Sequence, residues 1–358
     1  MDITNPLSKH INDQQGVVLI LVALFLVVLL GITALSVDIG YLMAARNEAQ
    51  NVADAAALAA AGELGEQYYN DTEPIDEAEI RAVAREIAGK NAIAKKAIGI
   101  NDSDIEIGFW HETSEDSGNF AFYLNDPDTD SPPNSKNSVR VTVRRDENEN
   151  GAINTFFATV LGNDTFTVSA NATAALSCAI KAPPGDLIPV GISKYWFDSV
   201  WEDGISDQPI KFYPTGNIEG CAAWDVFDNP KKFNTNTLRT IIDGMADGSF
   251  QSPETIIGSE FEFGGGTVAA AFSNFETLYN LNKDATTDEW ETRVVIYDRD
   301  DCSNPSGSIS IVGFATAVIR GVYGPPTKEI DATVSRANDS RGEGGVYGTF
   351  GKIPNLVE

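Results

Sequence analysis

The stretch Gln14–Gly62 reads QQGVVLILVALFLVVLLGITALSVDIGYLMAARNEAQNVADAAALAAAG, and its two halves decide the architecture. The first half is free of charge: 24 uncharged positions separate Asp13 from Asp38, and Val17–Ile32 is apolar apart from Gly31. As a helix rising about 1.5 Å per residue, this gap extends about 36 Å, enough to cross a hydrocarbon core of about 30 Å. A secretory signal peptide has a shorter apolar core, about 7 to 15 residues, followed by a small-residue cleavage site. Here Ala23 and Ala34 lie inside the run, and the first cysteine, Cys178, is far too distant for a lipoprotein. The reading is a short N-terminal segment, 1–15, and a transmembrane helix, 16–37, with Val17, Leu21, Phe25 and Leu29 as anchor residues in the bilayer.

The second half continues the helix. Ten alanines fall between Ala44 and Ala61 with no proline, and alanine has the highest helix propensity. One helix is therefore expected from about Gly16 to Leu64, its lower half lipid-facing and its upper half a stalk. Ser36, Gly40 and Ala44 stand at four-residue intervals around the outer face of the membrane, the small-xxx-small spacing that lets helices approach closely. They are the candidate helix interface. Above them Ala45, Ala49, Ala53, Ala57 and Ala61 form a ridge, expected to pack on the chain's own second helix and sheet.

After a polar turn at Asn70-Asp71, Pro74 sits where a first helical turn starts. Ile80, Val83, Ala84, Ile87 and Ala88 recur at helical spacing, predicting an amphipathic helix to about Ala97. The period then changes to two at Ile105-x-Ile107-x-Phe109, at Val139-x-Val141-x-Val143 and at Phe166-x-Val168-x-Ala170-x-Ala172. A short helix is expected over Ile153–Leu161, stopped by Gly162. The stalk helix and this small sheet make an α+β domain over 38–180. Lys181-Ala182-Pro183-Pro184-Gly185 reads as a boundary, and 185–358 as a second α+β domain. In it, strands are expected around Ile188–Ile192, Thr255–Phe263, Arg293–Tyr297, Ser308–Tyr323 and Glu329–Val334, and helices at Thr237–Met245 and Val268–Leu281.

The run Gln14–Ala61 resembles the N-terminal module of Tad proteins, the TadE/TadG-like components of bacterial Flp pilus assembly. The glycine before the apolar run, Val37-Asp38-Ile39-Gly40-Tyr41, and Asn51-x-x-Asp54-Ala55-Ala56-Ala57-Leu58-Ala59 carry the resemblance, and Ser138–Leu176 is similar to the rest of the family's first domain. It covers the first half well and the second half loosely. It implies an inner-membrane protein with a single pass, a cytoplasmic N-terminus and its bulk in the periplasm or on the cell surface. It also implies a non-enzymatic structural role in a pilus or pilus-like assembly, with other Tad proteins or further copies of itself as partners. One departure matters. Prepilin-like proteins carry a glutamate at the fifth position after the cleaved glycine; a cut after Gly16 places Leu21 there, and Asp38 is too distant to substitute. That argues against a pilin-type subunit. The alternative function is a surface adhesin or ligand-binding protein built on a Tad-like anchor.

Composition and motifs exclude most chemistry. With 52 acidic against 25 basic residues, the net charge of −27 makes nucleic acid a poor partner. Of two histidines, His10 precedes the anchor and His111 follows Trp110 at a strand end, where a surface role is expected. HExxH, C-x-x-C and G-x-S-x-G are absent from the sequence. Asp126-x-Asp128-x-Asp130 has the alternation of a Ca²⁺ loop, yet Ser131 and Asn137 stand where such a loop needs glycine and glutamate. It reads as a solvated acidic loop, as does Asp298-x-Asp300-Asp301, and Phe263–Thr267 reads as a flexible turn capped by Thr267. No cofactor or metal is expected. Three cysteines leave one spare: Cys221 and Cys302 share the second half and are the expected bridge, with Cys178 free.

Overall fold

The computed structural model describes residues 9–70, 72, 74–112, 119–125, 136–201, 221–227, 232–265 and 268–358. Helix α1, Lys9–Tyr69, runs 61 residues without a break. Among the described residues it is the one helix long and apolar enough to cross a membrane. Its surroundings change where its composition changes. Every large apolar side chain from Val17 to Leu30 is exposed, whereas Ala45, Ala49, Val52, Ala53, Ala56, Ala57, Ala60, Ala61, Leu64 and Tyr68 are buried.

What covers the alanines is an antiparallel sheet and helix α2, Glu77–Gly89. The sheet holds β1 (Ile105–Glu112), β2 (Phe120–Tyr123), β3 (Ser138–Arg145) and β4 (Val168–Ala175). Its inner face is a register of branched residues opposite small ones: Val139, Val141 and Val143 of β3 face Ala174, Ala172 and Ala170 of β4, and Ile105 and Ile107 of β1 face Val141 and Val139. Alanine on both the helix and β4 lets the two backbones come close, and the β-branched residues fill the remaining space, so the layer packs densely.

Two local expectations are corrected here. Helix α2 starts at Glu77, not near Pro74, because Asp76 is its cap, accepting from the N–H groups of Ala78 and Glu79 at 3.0 and 3.2 Å. It also ends at Gly89 rather than Ala97. Ala94 and Lys95 both take positive φ (47° and 66°), forming the two-residue turn of a hairpin in which Ala92–Ile93 pairs with Lys96–Ala97. Burial of Ile93 and the Arg145 Nη1 bond to the Ile93 carbonyl at 2.8 Å hold that hairpin. The second correction is Ile153–Leu161. Ile153–Asn154 is a strand paired with Thr165–Phe166, and only Ala158–Leu161 is helical, as a 3-10 turn. Gly162, at φ 84°, ends it in the left-handed region that glycine tolerates.

The second half is built on β5 (Leu187–Ser193), α3 (Lys194–Trp201), β6 (Ala222–Asp225), α4 (Thr235–Asp247), β7 (Glu260–Gly264), α5 (Ala269–Asn282), β8 (Trp290–Tyr297), β9 (Ser306–Tyr323) and β10 (Glu329–Val334). The sheet order is β7-β6-β5-β8-β9-β10. Strand β9 is 18 residues long and serves four neighbours: β7 through Ser306–Ser310, β8 through Ile311–Ile319, β10 through Ala317–Tyr323, and the short strand Tyr347–Gly348, in parallel, through Gly313–Phe314. Pairing with β7 at the far end curls the sheet back on itself, leaving fewer open edges. The β5–β8 pair is parallel, so its connection must cross over, and α4 and α5 lie in that connection. The rings of Phe272 and Phe275 on α5 meet Trp224 of β6 edge-on at 5.4 and 5.5 Å. Cys221 and Cys302 form a disulfide spanning 81 residues, while Cys178 is a buried free thiol.

The chain's last residues return to the first sheet. Asn355–Leu356 pairs with β4 as its outer neighbour, and Phe350 joins the core around α1, stacking on Tyr68 at 6.0 Å. A Cβ on Gly65 would stand 2.4 Å from the Lys352 carbonyl oxygen, so only glycine admits the crossing. Lys352 there pairs with Glu66 at 2.8 Å and Asp339 at 3.1 Å. Residues 185–358 therefore do not stand apart as one unit: their end completes the domain built on the stalk.

The alanine layer has a direct consequence. Ala57→Leu should destabilise the folded head by about 1–3 kcal/mol through overpacking. Gly40→Leu, at a position with nothing within 4 Å of a built Cβ, should leave stability unchanged. Urea denaturation of the detergent-solubilised protein measures both.

Candidate functional site

The region that sequence and structure both single out is where α1 leaves its bare apolar part and enters the head. Asp38 stands there, the first charge after the uncharged run, and it is only 6 % exposed. Its carboxylate accepts three backbone N–H groups from the far side of the chain: Phe156 at 2.9 Å, Phe157 at 3.0 Å and Ala158 at 2.5 Å. These are the orphan donors at the start of the 3-10 turn, so Asp38 caps a turn 118 to 120 residues away in sequence. Tyr41, one turn further along α1, closes the joint with its ring 5.2 Å from Phe156 and 6.2 Å from Phe166. Burial pushes the Asp38 carboxyl up, but the three N–H bonds together outweigh it and hold the group below the ordinary aspartate range.

This placement also keeps Asp38 from standing in for the pilin glutamate. A carboxylate that pairs with a neighbour's amine needs free lone pairs facing outward. Both Asp38 oxygens are committed to this chain's own backbone. The sequence carried one signal for this role, an acidic residue next to the apolar boundary, but its partner could not be read from local pattern.

The candidate helix interface lies elsewhere on α1. Ser36, Gly40 and Ala44 are all exposed. At about 100° per residue they fall on the side of the helix opposite Asp38 and Ala45. Ser36 spends its hydroxyl on the Ile32 carbonyl at 2.8 Å. The ridge Ala45, Ala49, Ala53, Ala57 and Ala61 is by contrast fully covered by the chain's own head. The anchor residues Val17, Leu21, Phe25 and Leu29 are 54–64 % exposed.

The remaining candidates do not converge. Asp126-x-Asp128-x-Asp130 and Thr267 lie outside the described residues. Asn137, tested above as a Ca²⁺-loop position, clamps β1 instead, accepting from the Trp110 N–H at 2.7 Å and donating to its carbonyl at 3.2 Å. Lys194 sits 3.7 Å from both Asp298 and Asp300, and Asp301 accepts from Ser303. Asp225 is fully buried in β6, and burial pushes its carboxyl well up against one opposing bond from the Phe227 N–H. Burial also pushes the Cys178 thiol up, which makes it a poor nucleophile. Among the described residues, no group of three or more His, Cys, Asp or Glu side chains could hold a metal.

A long helix, bare where apolar and sheathed by a sheet where rich in alanine, defines a class of proteins with one candidate N-terminal membrane anchor. Comparison with family models gives the class a name. Residues 16–63 match the Flp pilus-assembly TadE/G-like family (Tad), and residues 43–174 match the Tad-like Flp pilus-assembly family (Tad_C). Together the two matches cover residues 16–174, the apolar helix and the first sheet domain, and they support a role related to Flp pilus assembly. No curated protein and no solved structure matches the chain.

Replacing Asp38 tests the joint. In Asp38→Ala the amides of Phe156, Phe157 and Ala158 should lose protection from hydrogen exchange while those of β3 and β4 keep theirs. The pH sign follows from the lowered folded value: the carboxylate stabilises the turn above its ordinary pKa of about 3.9, and that contribution is lost as pH falls through the folded value. Wild-type protection at these amides, corrected for intrinsic rate, should therefore fall in acid, and that of Asp38→Ala should not change further.

Proposed function

We propose that the protein is a membrane-anchored, non-enzymatic structural component of a Tad/Flp-type pilus or pilus-like assembly, held in the bacterial inner membrane by residues 16–37. Its N-terminus lies in the cytoplasm, and the sheet domains lie in the periplasm or at the cell surface. The observation that carries this reading is the match of both Tad modules to the segment in which α1 passes from bare to sheathed. A disulfide between Cys221 and Cys302 suits an oxidising compartment. The exposed stripe Ser36, Gly40 and Ala44 is the surface offered to another helix, either a second copy or another pilus component, since it carries no bulk and faces away from the head.

The adhesin reading draws on one observation: the family matches end at residue 174, so the second half has no assigned module. Deleting the protein separates the two. Loss of sheared surface filaments, restored by wild type, supports the structural role; filaments that persist while surface attachment is lost support the adhesin. With Gly40→Leu, crosslinked oligomers and filament yield should both fall although the head stays folded. Wild-type levels of both would leave the helix an anchor and nothing more.

A further inference from the structure

The 3-10 turn capped by Asp38 has a surface that a water-facing loop does not need. Phe156 is 59 % exposed, Phe157 47 %, Val160 85 % and Leu161 73 %, four large apolar side chains within six residues. Between Glu149 and Asp164 the chain carries no charge at all, in a protein of net charge −27. Isolated exposed apolar residues are ordinary on a folded surface; a contiguous set is a contact site. Elsewhere among the described residues, the long run of exposed apolar side chains is the anchor itself.

Position says what the contact is. The three N–H bonds fix the backbone of residues 156–158 beside Asp38, at the first turn after the uncharged run. That run of 24 residues is about 36 Å of helix against a hydrocarbon core of about 30 Å, so Asp38 sits about 3 Å beyond the core, among the lipid headgroups. Apolar side chains at that level reach the acyl boundary, where interfacial segments bury about 5–10 Å deep. At the same level of α1, Leu35, Val37 and Ile39 are 46–48 % exposed. Phe156 touches Tyr41, an aromatic residue at the depth where membrane proteins concentrate tyrosine and tryptophan.

We propose that the uncharged turn 153–163 is a second membrane contact, which dips Phe156, Phe157, Val160 and Leu161 into the outer interface of the bilayer beside the anchor helix. This rests on the reading of residues 16–37 as a membrane span. Because the acidic head is repelled by anionic lipid, the partner is the apolar and zwitterionic part of the interface. The contact would hold the head at a set height and tilt on the membrane, since the Asp38 joint leaves the turn no freedom to move away from α1. It would also keep the opposite side of α1, with Ser36, Gly40 and Ala44, turned toward neighbours in the membrane plane.

The test uses full-length protein in phosphatidylcholine nanodiscs, with one added cysteine carrying an environment-sensitive fluorophore and with spin-labelled lipids as quenchers. Cys178 is buried and the other two cysteines are bonded, so the added thiol is the one labelled. Three sites are compared: Val160→Cys in the turn, Phe25→Cys in the anchor, and Ile256→Cys, 57 % exposed in the second half. Emission at 160 should drop by about half with a quencher placed high on the acyl chain, and less with one near the bilayer centre. Emission at 25 should respond most to the central quencher, and that at 256 to neither. Quenching at 25 without quenching at 160 overturns the proposal and leaves the anchor intact. Absence of quenching at both overturns the anchor reading as well. If 160 is unquenched by lipid but crosslinks to a second copy, the turn is a protein interface and the proposal is wrong. To exclude a local artefact of the label, Leu161→Cys should repeat the result at 160.

Discussion

Everything in the molecule is organised by one packing constraint: the alanine face of α1 between Ala45 and Ala61 must be covered by the chain's own sheet and α2. A bare alanine helix buries little per residue, and its stability in a folded protein comes from the layer that lies on it. Here that layer is matched to it. Small residues on α1 and on β4 let the backbones approach, and Val139, Val141 and Val143 fill the gap between them. The same helix is bare below Asp38, where among the described residues no other element covers Val17–Leu30. A single continuous helix thereby carries two solvents' worth of patterning, with Asp38 at the change.

Two long-range ties set how the rest is arranged around that helix. Asp38 draws in the turn of residues 156–158 at the end next to the apolar run, and Gly65 admits the strand carrying Lys352 at the other. Between them the first domain is pinned to α1 at both ends. The return of Phe350 and Asn355–Leu356 also places the second half beside the first, since the edge of the first sheet is made from the chain's last residues.

Much of this was legible in the sequence wherever the pattern is local. The uncharged run and the alanine run gave α1. The alternation at Val139–Val143 and Ile105–Phe109 gave the inner strands, and the segments of the second half fell close to β5, β8, β9, β10, α4 and α5. Cys221 with Cys302 followed from an odd count and their shared half of the chain. What escaped was whatever depends on a partner distant in sequence. The Asp38 cap needs residues 118 to 120 positions away, and the final strand needs β4. Ile153–Leu161 misled because Ala158–Leu161 does carry helical turn character, while Ile153 and Asn154 were already committed to pairing with Phe166 and Thr165. The hairpin at Ala92–Ala97 was hidden because alanine and lysine, good helix formers, occupy its positive-φ turn at Ala94 and Lys95. The Tad resemblance supplied the class, and the structure shows what its residues do in this chain: small residues, Ser36, Gly40 and Ala44, stand where α1 is open, and aspartate where it turns into the head.

The central claim is that one helix is stabilised by two independent environments that meet at Asp38. Hydrogen exchange along α1 in nanodiscs, followed through a urea titration, measures this most directly. Protection of the amides of residues 45–68 should vanish in the same transition as that of β3 and β4, while residues 17–37 stay protected after the head has unfolded. If both halves of α1 lose protection in one step, or if residues 45–68 exchange freely while the head is folded, the account is contradicted.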